Sequence, residues 1–290
     1  MKVSGFTIVR NAIKYDYPVV ESIRSILPLC DEVVVAVGNS DDGTRELVES
    51  IGSDKIRILD TVWDDSLRKG GEVLAVETNK AFDTIFPEST WAVYIQADEV
   101  LHEDSYDAIL NAMETWKDVP EVEGLVFDYR HFFGSYDFIA GSRNWYRREV
   151  RIVRNDKEIR SYKDAQGFRK NGQKLKVKPT GAIICHYGWV KPPESIRTKL
   201  QYFHTLWHDE AWMKKNKPVM ESFDYSQIDS LIRFKGTHPG TMKDRISQKN
   251  WEFTFDPTKK KFPPVTRLFH AFEKITGYRV GEYRNYRIIR

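Results

Sequence analysis

Residues 91–104 read WAVYIQADEVLHED. The apolar run from Trp91 to Ile95 predicts a strand, which ends abruptly in polar residues that include the adjacent acids Asp98 and Glu99. Carboxylates beside a buried strand are costly unless a hydrogen bond or a positive charge compensates them. The stretch therefore raises the question of what these two charges meet.

The residues around this stretch alternate between strand patterns and helix patterns. Four strands and three helices are predicted in the first hundred residues, at 3–9, 17–27, 31–38, 44–51, 55–60, 71–86 and 91–98. This order predicts an α/β fold with a doubly wound, mostly parallel sheet flanked by helices, whose ligands bind beyond the carboxyl ends of the strands. Asp98 and Glu99 are therefore expected at the ligand-binding edge.

The length of 290 residues suffices for one large domain with an appendage. Strand-like segments continue to about residue 190 and extend the sheet, whereas helix patterns dominate from Glu194 onward. We therefore expect a catalytic domain at residues 1–193, followed by a helical C-terminal extension with a basic tail at residues 194–290.

The composition is that of a soluble globular protein, with 41% hydrophobic and 30% charged residues. Cys30 and Cys185 lie far apart without metal-type spacing, which favours a reducing compartment and no disulfide. The N-terminal residues lack a signal-peptide pattern, and no run of about 18 apolar residues occurs. The expected localisation is cytoplasmic.

Asp98 and Glu99 allow two interpretations. Acids are favoured at the start of the helix predicted after His102, and that preference alone could explain them. Alternatively, a divalent cation is held at the strand end, because Mg²⁺ prefers carboxylate oxygens together with substrate phosphates. His186, at the end of the strand pattern IICHYGWV, is the candidate second ligand, since imidazole also suits Mn²⁺. A buried histidine that donates to a backbone carbonyl is the alternative for His186.

Two polar loops fall at the same edge of the predicted sheet. VGNSDDGT at residues 37–44 is either a capped turn or a loop that holds the ribose and base of a nucleotide. KGGEVLA at residues 69–75 offers glycines beside a lysine, which suits a phosphate at a helix N-terminus. Neither loop has the spacing of a P-loop or of GxGxxG, which counts against an ATPase or a dehydrogenase.

Taken together, these motifs resemble the family 2 glycosyltransferases of the GT-A fold, in particular the bacterial branch that acts on cell-surface glycans. The similarity covers about residues 3–190 and rests on Ile8-Val9-Arg10-Asn11, on Ser40–Thr44, on Gly70 with Asn79, and on Gln96-Ala97-Asp98-Glu99.

The resemblance implies a transferase that moves a sugar from a nucleotide-sugar donor to a cell-surface glycan or lipid-linked acceptor, with inversion. The last acid of the family's DxD-type motif, Asp98 here, implies a Mn²⁺ or Mg²⁺ ligand, and His186 resembles the later histidine that joins the metal. This chain departs from the family pattern at Gln96, where the motif has an acid. It also has Val37-Gly38 where many relatives have an Asp that reads uracil.

The remaining implied roles concern the donor and the acceptor. Asp164 follows a segment that resembles the R-x-x-R stretch on the acceptor side, and it is the expected general base, with Glu99 as the reserve. The expected donor-binding residues are Val9, Arg10, Asn11, Asn39, Asp42, Lys69, Gly70, Asn79, Gln96, Ala97, Arg151 and Arg154.

Two other function classes remain open at this point. A non-catalytic nucleotide-sugar-binding protein would bind the donor without turnover, and a metal-dependent phosphohydrolase would need further clustered metal ligands. No nucleic-acid partner is expected, because the chain outside its tail is net acidic and lacks a recognisable nucleic-acid-binding motif.

The tail at residues 257–290 carries nine basic and two acidic residues, a formal charge of +7, interleaved with aromatic and aliphatic residues. One interpretation is that its apolar face packs on the catalytic domain. The other is a peripheral contact with the anionic inner face of a membrane, where a lipid-linked acceptor would be found.

Overall fold

The computed structural model describes residues 1–216 and 223–290. The strands are β1 Val3–Val9, β2 Glu32–Gly38, β3 Ile56–Thr61, β4 Trp91–Tyr94, β5 Glu99–Leu101, β6 Gly124–Phe133, β7 Ser135–Ala140, β8 Arg148–Arg154, β9 Ile159–Tyr162, β10 Gly167–Lys170, β11 Gln173–Lys174, β12 Lys176–Trp189, β13 Leu231–Arg233 and β14 Arg287–Ile288. The helices are α1 Val19–Ile26, α2 Thr44–Glu49, α3 Glu72–Asp83, α4 Tyr106–Trp116, α5 Pro193–Trp207, α6 Glu210–Lys215, α7 Lys243–Ser247 and α8 Pro264–Thr276.

The main sheet begins with four parallel strands in the order β3-β2-β1-β4. β8 pairs antiparallel with β4, β6 pairs antiparallel with β8, and the long β12 runs parallel to β6. Helices pack on both sides of the parallel strands. The predicted α/β fold class, with a mostly parallel sheet flanked by helices, is therefore confirmed.

Both faces of β1, β2 and β4 are buried, whereas the edge strand β3 is partly exposed. Along β2, Val33, Val35 and Val37 belong to one apolar cluster with residues of α1 and α4, whereas Val34 and Ala36 belong to a second cluster with residues of α3. Because each face packs against helices, every position of the strand can be apolar. This explains the continuous runs of valine in the sequence.

A long-range strand pairing joins the turn after β4 to the end of β12. β5 pairs antiparallel with β12, and Glu99 lies opposite His186. The backbone N–H of Tyr187 donates to the carbonyl oxygen of Asp98 at 2.8 Å. Two motifs that are remote in sequence thus meet at the carboxyl edge of the parallel strands.

The sheet continues into the C-terminal hundred residues. β13 pairs with β7, and β14 returns to pair with β12, where Arg287 lies opposite Lys176. The division at residue 193 stays a prediction about folding units, but strand pairing crosses it. Within the described part of the chain, no helix has the length and apolarity needed to cross a bilayer.

A fully buried ion pair lies beneath the turn after β4. Arg151 on β8 donates from Nε and Nη2 to the two carboxylate oxygens of Glu99, both at 2.8 Å, and the side chains are 1% and 0% exposed. Glu99 also accepts the backbone N–H of Gln96 at 3.1 Å and the hydroxyl of Tyr129 at 2.9 Å. Nη1 of Arg151 donates to the carbonyl oxygen of Gln166 at 2.8 Å. The pair therefore joins the turn after β4 to the loop between β9 and β10.

We expect Arg151→Met to lower the free energy of unfolding by about 3–5 kcal/mol, because it leaves the Glu99 carboxylate buried without a countercharge. Urea denaturation measures the loss. Arg148→Met on the same strand is the matched control, since Arg148 pairs with Asp128 where the side chains are 40% and 43% exposed. Such an exposed pair contributes less than about 1 kcal/mol.

Equal losses for the two variants would contradict this account of the buried pair. If Arg151→Met does not fold, the double variant with Glu99→Gln is expected to recover part of the stability, because no buried charge is then left unpaired.

Candidate active site

A cavity of about 410 Å³ opens at the carboxyl edge of β1 and β4. This volume lies in the range of about 300–1,000 Å³ that small-molecule sites have. Seven of the residues expected at the site line it, namely Val9, Arg10, Gln96, Ala97, Asp98, Asp164 and His186. The floor of the cavity is thus built from strand ends, as the fold class predicts.

Asp98 and His186 face each other in this cavity. Oδ2 of Asp98 lies 3.7 Å from Nε2 of His186. A Cβ atom built on Gly188 would come within 2.6 Å of that oxygen and 2.7 Å of that nitrogen. Only glycine therefore leaves the space between the two groups open, since real Cβ atoms do not approach so closely.

The hydrogen bonds of a second histidine fix the tautomer of His186. Nε2 of His131 lies 2.8 Å from the carbonyl oxygen of Tyr146, to which it must donate, and its Nδ1 lies 3.2 Å from Nδ1 of His186. Burial lowers the pKa of His131 to about 3, so its Nδ1 is an acceptor and His186 donates from Nδ1. Burial also lowers the pKa of His186. Its Nε2 then presents a lone pair toward Asp98.

Two acceptors that face each other require a proton or a cation between or beside them. The ammonium group of Lys199, on α5, lies 3.0 Å from Oδ2 of Asp98 and 3.1 Å from the carbonyl oxygen of Gly188. Burial alone would raise the pKa of Asp98, but the charge and hydrogen bond of Lys199, together with His186 and Lys191, outweigh this effect and the pKa is lowered. Asp98 is therefore an ionised, paired carboxylate.

Asp98 and His186 were expected to hold Mn²⁺ or Mg²⁺, and the groups around them show whether they suit such an ion. Asp98 and His186 lie together as expected, but hard cations in proteins are held by more than one carboxylate or by a carboxylate with substrate phosphates. Within residues 1–216 and 223–290, no group of three His, Cys, Asp or Glu residues is suited to hold a metal. Because Lys199 already pairs with the one carboxylate, the donor set does not fit a resident divalent ion.

Asp164 lies in the four-residue loop between β9 and β10 and lines the same cavity. Its neighbours Lys163 and Ala165 both have positive φ angles, of 54° and 58°. Such conformations cost free energy in residues other than glycine and often occur at functional sites. Gly71 packs against this loop, since a Cβ there would meet Cβ of Asp164 at 3.0 Å.

Three residues expected to hold the nucleotide instead stabilise turns beside the cavity. The side-chain oxygen of Asn11 accepts the backbone N–H of Asp41 at 3.0 Å. That of Asn39 accepts the backbone N–H of Trp63 at 3.2 Å, and Asp42 accepts the backbone N–H of Thr44, the first residue of α2, at 3.1 Å. None of these three residues belongs to the described lining of the cavity. Their positions favour the capped-turn interpretation.

The other expected donor-binding residues lie away from the cavity. Lys69 is exposed in the loop before α3, next to Gly70. Asn79 accepts the backbone N–H of Ser161 at 2.8 Å and so joins α3 to β9. Arg154 donates to carbonyl oxygens at the end of α4, at the opposite edge of the sheet.

The structure contradicts the roles expected for Glu99, as the reserve base, and for Arg151, as a donor-binding residue. Both side chains are fully buried and pair with each other, so Glu99 has no access to an acceptor hydroxyl and Arg151 has none to a phosphate. Their charges stabilise the two loops of the site from outside the cavity.

α5 forms a wall of the cavity that the sequence patterns did not predict. Lys199, Tyr202, Phe203, Leu206 and Trp207 of this helix line the cavity. One signal was present in the sequence, because Ile196, Lys199, Phe203 and Leu206 recur at the spacing of one helical face. A lysine within an apolar stripe indicates a buried cation that needs a partner.

Glu149 lies behind the cavity-lining residue Gln166. Its Oε1 accepts from Nε2 of Gln166 at 2.9 Å, and the structure gives its Oε2 no partner among the described residues. Burial raises the pKa of Glu149 to about 8, and the negative charge of Glu99 adds to the effect. The Glu149 carboxyl group is therefore protonated in the folded protein at neutral pH.

No family model matches this chain, and no curated protein matches it. Among solved structures, S. aureus TarS is similar to this chain, with a TM-score of 0.41 and 15% identity. The similarity covers 70% of this chain and 39% of TarS. TarS has also been solved with UDP. A 4-diphosphocytidyl-2C-methyl-D-erythritol synthase from Anaerococcus prevotii has a TM-score of 0.41 and 10% identity over 70% of this chain and 94% of its own.

A third similar structure is glucosyl-3-phosphoglycerate synthase from Mycobacterium tuberculosis, solved with Mn²⁺, UDP and phosphoglyceric acid. It has a TM-score of 0.31 and 16% identity over 45% of this chain and 43% of its own. This chain spans about two fifths of the length of TarS. With every TM-score below 0.5, the substrate has to be inferred from the residues of the cavity.

We expect Glu149→Gln to change the pH dependence of stability. Between pH 4.5 and about 8, the unfolded chain has this carboxyl ionised while the folded protein keeps it protonated. Stability therefore falls as pH rises through this window, by at most about 1.4 kcal/mol per pH unit. Glu149→Gln removes this loss, and urea denaturation at several pH values measures it.

The control is Glu158→Gln, which changes an exposed glutamate in the turn before β9. It should leave the pH dependence as in the wild type. If Glu149→Gln also leaves it unchanged, Glu149 is ionised in the folded protein.

Proposed function

We propose that this protein is an inverting glycosyltransferase that uses a nucleotide-sugar donor and a hydroxyl-bearing glycan or lipid-linked acceptor. One observation carries the proposal. A single cavity at the carboxyl edge of the sheet holds a positively charged lysine on one carboxylate, Asp98, and a second carboxylate, Asp164, on a separate loop. A glycosyl transfer needs a cation and a base, and the ammonium group of Lys199 and the carboxylate of Asp164 can supply them.

The first need is a positive charge for the leaving nucleoside diphosphate. When the bond between the anomeric carbon and the diphosphate oxygen breaks, the electron pair remains on that oxygen, and cationic groups stabilise it. Lys199 and Arg10 are the cationic side chains that line the cavity among the described residues. Arg10 is held by Asp65 at 2.7 Å and by the backbone of Asn39 at 3.3 Å.

The second need is a base for the acceptor hydroxyl. In an inverting reaction the acceptor oxygen attacks the anomeric carbon while a carboxylate takes its proton. Asp164 suits this role because it lines the cavity on a loop of its own, held by Gly71 and by the ion pair behind it. His186, with its lone pair directed at Asp98, lies on the diphosphate side.

The lining of the cavity also suits the donor. Aromatic side chains from several elements surround it, and flat ring faces pack against sugar rings and nucleotide bases. These are Tyr17, Trp63, Tyr94, Trp145, Tyr146, Trp189, Tyr202, Phe203 and Trp207.

The two alternative functions are less well supported. A two-metal phosphohydrolase needs clustered acidic or histidine ligands, and the described residues contain no such group. A non-catalytic binding protein has no use for a carboxylate on a strained loop such as that of Asp164.

The test begins with thermal shifts for UDP-, GDP-, CMP- and dTDP-sugars, which select the donor. We then expect Asp164→Asn to bind that donor as the wild type does, but to lose about 10²–10⁴-fold in transfer rate, since an amide cannot accept the proton. Release of the nucleoside diphosphate in the presence of a glycan acceptor panel measures transfer.

Asp83→Asn is the matched control, because Asp83 pairs with Arg160 outside the cavity with 44% of its side chain exposed. It should transfer at the wild-type rate. Transfer by Asp164→Asn at that rate would remove Asp164 from the chemistry, and failure of all four donors to stabilise the protein would overturn the proposed function.

The acceptor side of the proposal includes a membrane contact through α8. This helix exposes an apolar stripe in which Leu268 and Ile275 are 70% and 86% exposed. Its opposite side is held by Glu273, which pairs with Arg143 at 2.8 Å. Three exposed lysines at residues 259–261 precede the helix. An apolar stripe beside basic residues suits an anionic lipid surface, to which each basic residue adds about 1 kcal/mol.

We expect the protein to sediment with vesicles that contain phosphatidylserine, in a salt-sensitive manner, and not with pure phosphatidylcholine vesicles. Leu268→Ser with Ile275→Ser should abolish sedimentation, because the apolar contact is lost. The control Leu110→Ser changes an exposed leucine on α4 and should have no effect. Equal sedimentation with both lipids, or none at low salt, would refute the membrane contact.

A further inference from the structure

Lys199 is a buried cation in the wall of the cavity, on the helix that the sequence analysis had assigned to the C-terminal extension. Its ammonium group contacts Oδ2 of Asp98 and the carbonyl oxygen of Gly188. The rings of Tyr17 and Phe203 lie 5.0 Å and 5.3 Å from the nitrogen. Two hydrogen bonds and two aromatic faces thus hold this charge in place.

Such an arrangement is too specific for an incidental surface pair. The Lys199 and Asp98 side chains are 10% and 13% exposed, and burial of two charges is costly unless their geometry is good. An ammonium group has three N–H donors. The structure gives acceptors to two of them among the described residues, and the group borders the cavity.

We infer that the ammonium group of Lys199, and not a resident divalent ion, is the cation that binds the diphosphate of the donor. This inference rests on the proposed function. Asp98 orients Lys199, and the diphosphate binds on the side of the ammonium that faces the cavity. As the bond to the anomeric carbon breaks, Lys199 stabilises the negative charge on the departing diphosphate oxygen, and Asp164 takes the proton of the acceptor.

Local charge explains why the lysine suits this chain. Gln96 stands where the family's motif has its first acid, so the turn after β4 offers the cavity one carboxylate. Because Lys199 already pairs with this carboxylate, a divalent ion would have to displace the ammonium group before it could bind there. The ammonium group of Lys199, with Arg10 in the same cavity lining, instead suits an anionic diphosphate directly.

Calorimetric titration with inorganic pyrophosphate and with UDP and GDP tests the inference, each in EDTA and in Mn²⁺. We expect the wild type to bind at least one of these probes in EDTA. Lys199→Met should weaken that binding by at least about tenfold, since it removes a charged hydrogen bond. Lys215→Met, the same change at an exposed lysine of α6, should bind as the wild type does.

Asp98→Asn separates the two possible cations. If Lys199 binds the diphosphate, this variant retains binding in EDTA, because the ammonium group remains and its competing carboxylate is gone. If a metal binds it, the variant loses binding, because the metal loses its carboxylate ligand. Lys199→Arg, which keeps the charge, should bind more tightly than Lys199→Met, and it keeps the test valid if Lys199→Met does not fold.

Binding that requires Mn²⁺ and disappears in Asp98→Asn would overturn the inference and leave the proposed function standing. The absence of binding for every probe in both EDTA and Mn²⁺ would count against the proposed function itself.

Discussion

The ion pair between Glu99 and Arg151 is the interaction on which the rest of the site depends. It lies between the turn that carries Asp98 and the loop that carries Asp164, and it hydrogen-bonds to the backbone of both. A charge pair without access to water can hold two loops in a fixed relation, because movement of either loop would leave a charge without its partner. The relative position of the two cavity carboxylates, Asp98 and Asp164, therefore follows from a contact that lies outside the cavity lining.

The pair also explains why the strand at residues 91–95 ends in two adjacent acids. Asp98 lies in the turn after β4, and Glu99 is the first residue of β5. Glu99 turns inward to Arg151, whereas Asp98 turns outward to Lys199 and His186. One acid serves the structure and the other serves the cavity, and neither a helix start nor a shared metal site is needed to account for them.

Local patterns were sufficient to predict the parallel strands and the edge at which Asp98 and His186 lie, whereas Asp164 was expected there only through the family resemblance. The strand patterns of the first hundred residues are continuous because both faces are buried, and this signal is present in any window of the sequence. Roles that depend on contacts between remote segments could not be predicted in the same way. Nothing near Arg151 in the sequence indicates that it lies opposite Glu99, and its family-like spacing pointed to a phosphate instead.

The role of Lys199 also depends on a contact between segments that are remote in sequence. Its place in an apolar helical stripe was visible in the sequence, but its partner is fixed only when α5 packs over the ends of β1 and β4. Likewise, the donor roles expected for Asn11, Asn39 and Asp42 come from a loop motif whose side chains satisfy the backbone of their own turns. A motif of polar turn residues looks the same whether it binds a ligand or its own chain.

The construction of the cavity from a sheet floor and a single helical wall has an evolutionary consequence. Replacing Tyr202, Phe203 or Trp207 on α5 reshapes the opening without disturbing any strand, whereas changes at Gln96 or Asp98 alter the turn that Glu99 holds. Apart from Lys199, the cavity-lining side chains of the helix can therefore diverge quickly between lineages while the floor stays under constraint. Descendants of such a protein would bind a ligand at the strand ends in the same way. They would differ in the size and shape of the ligand that fits beside the helix.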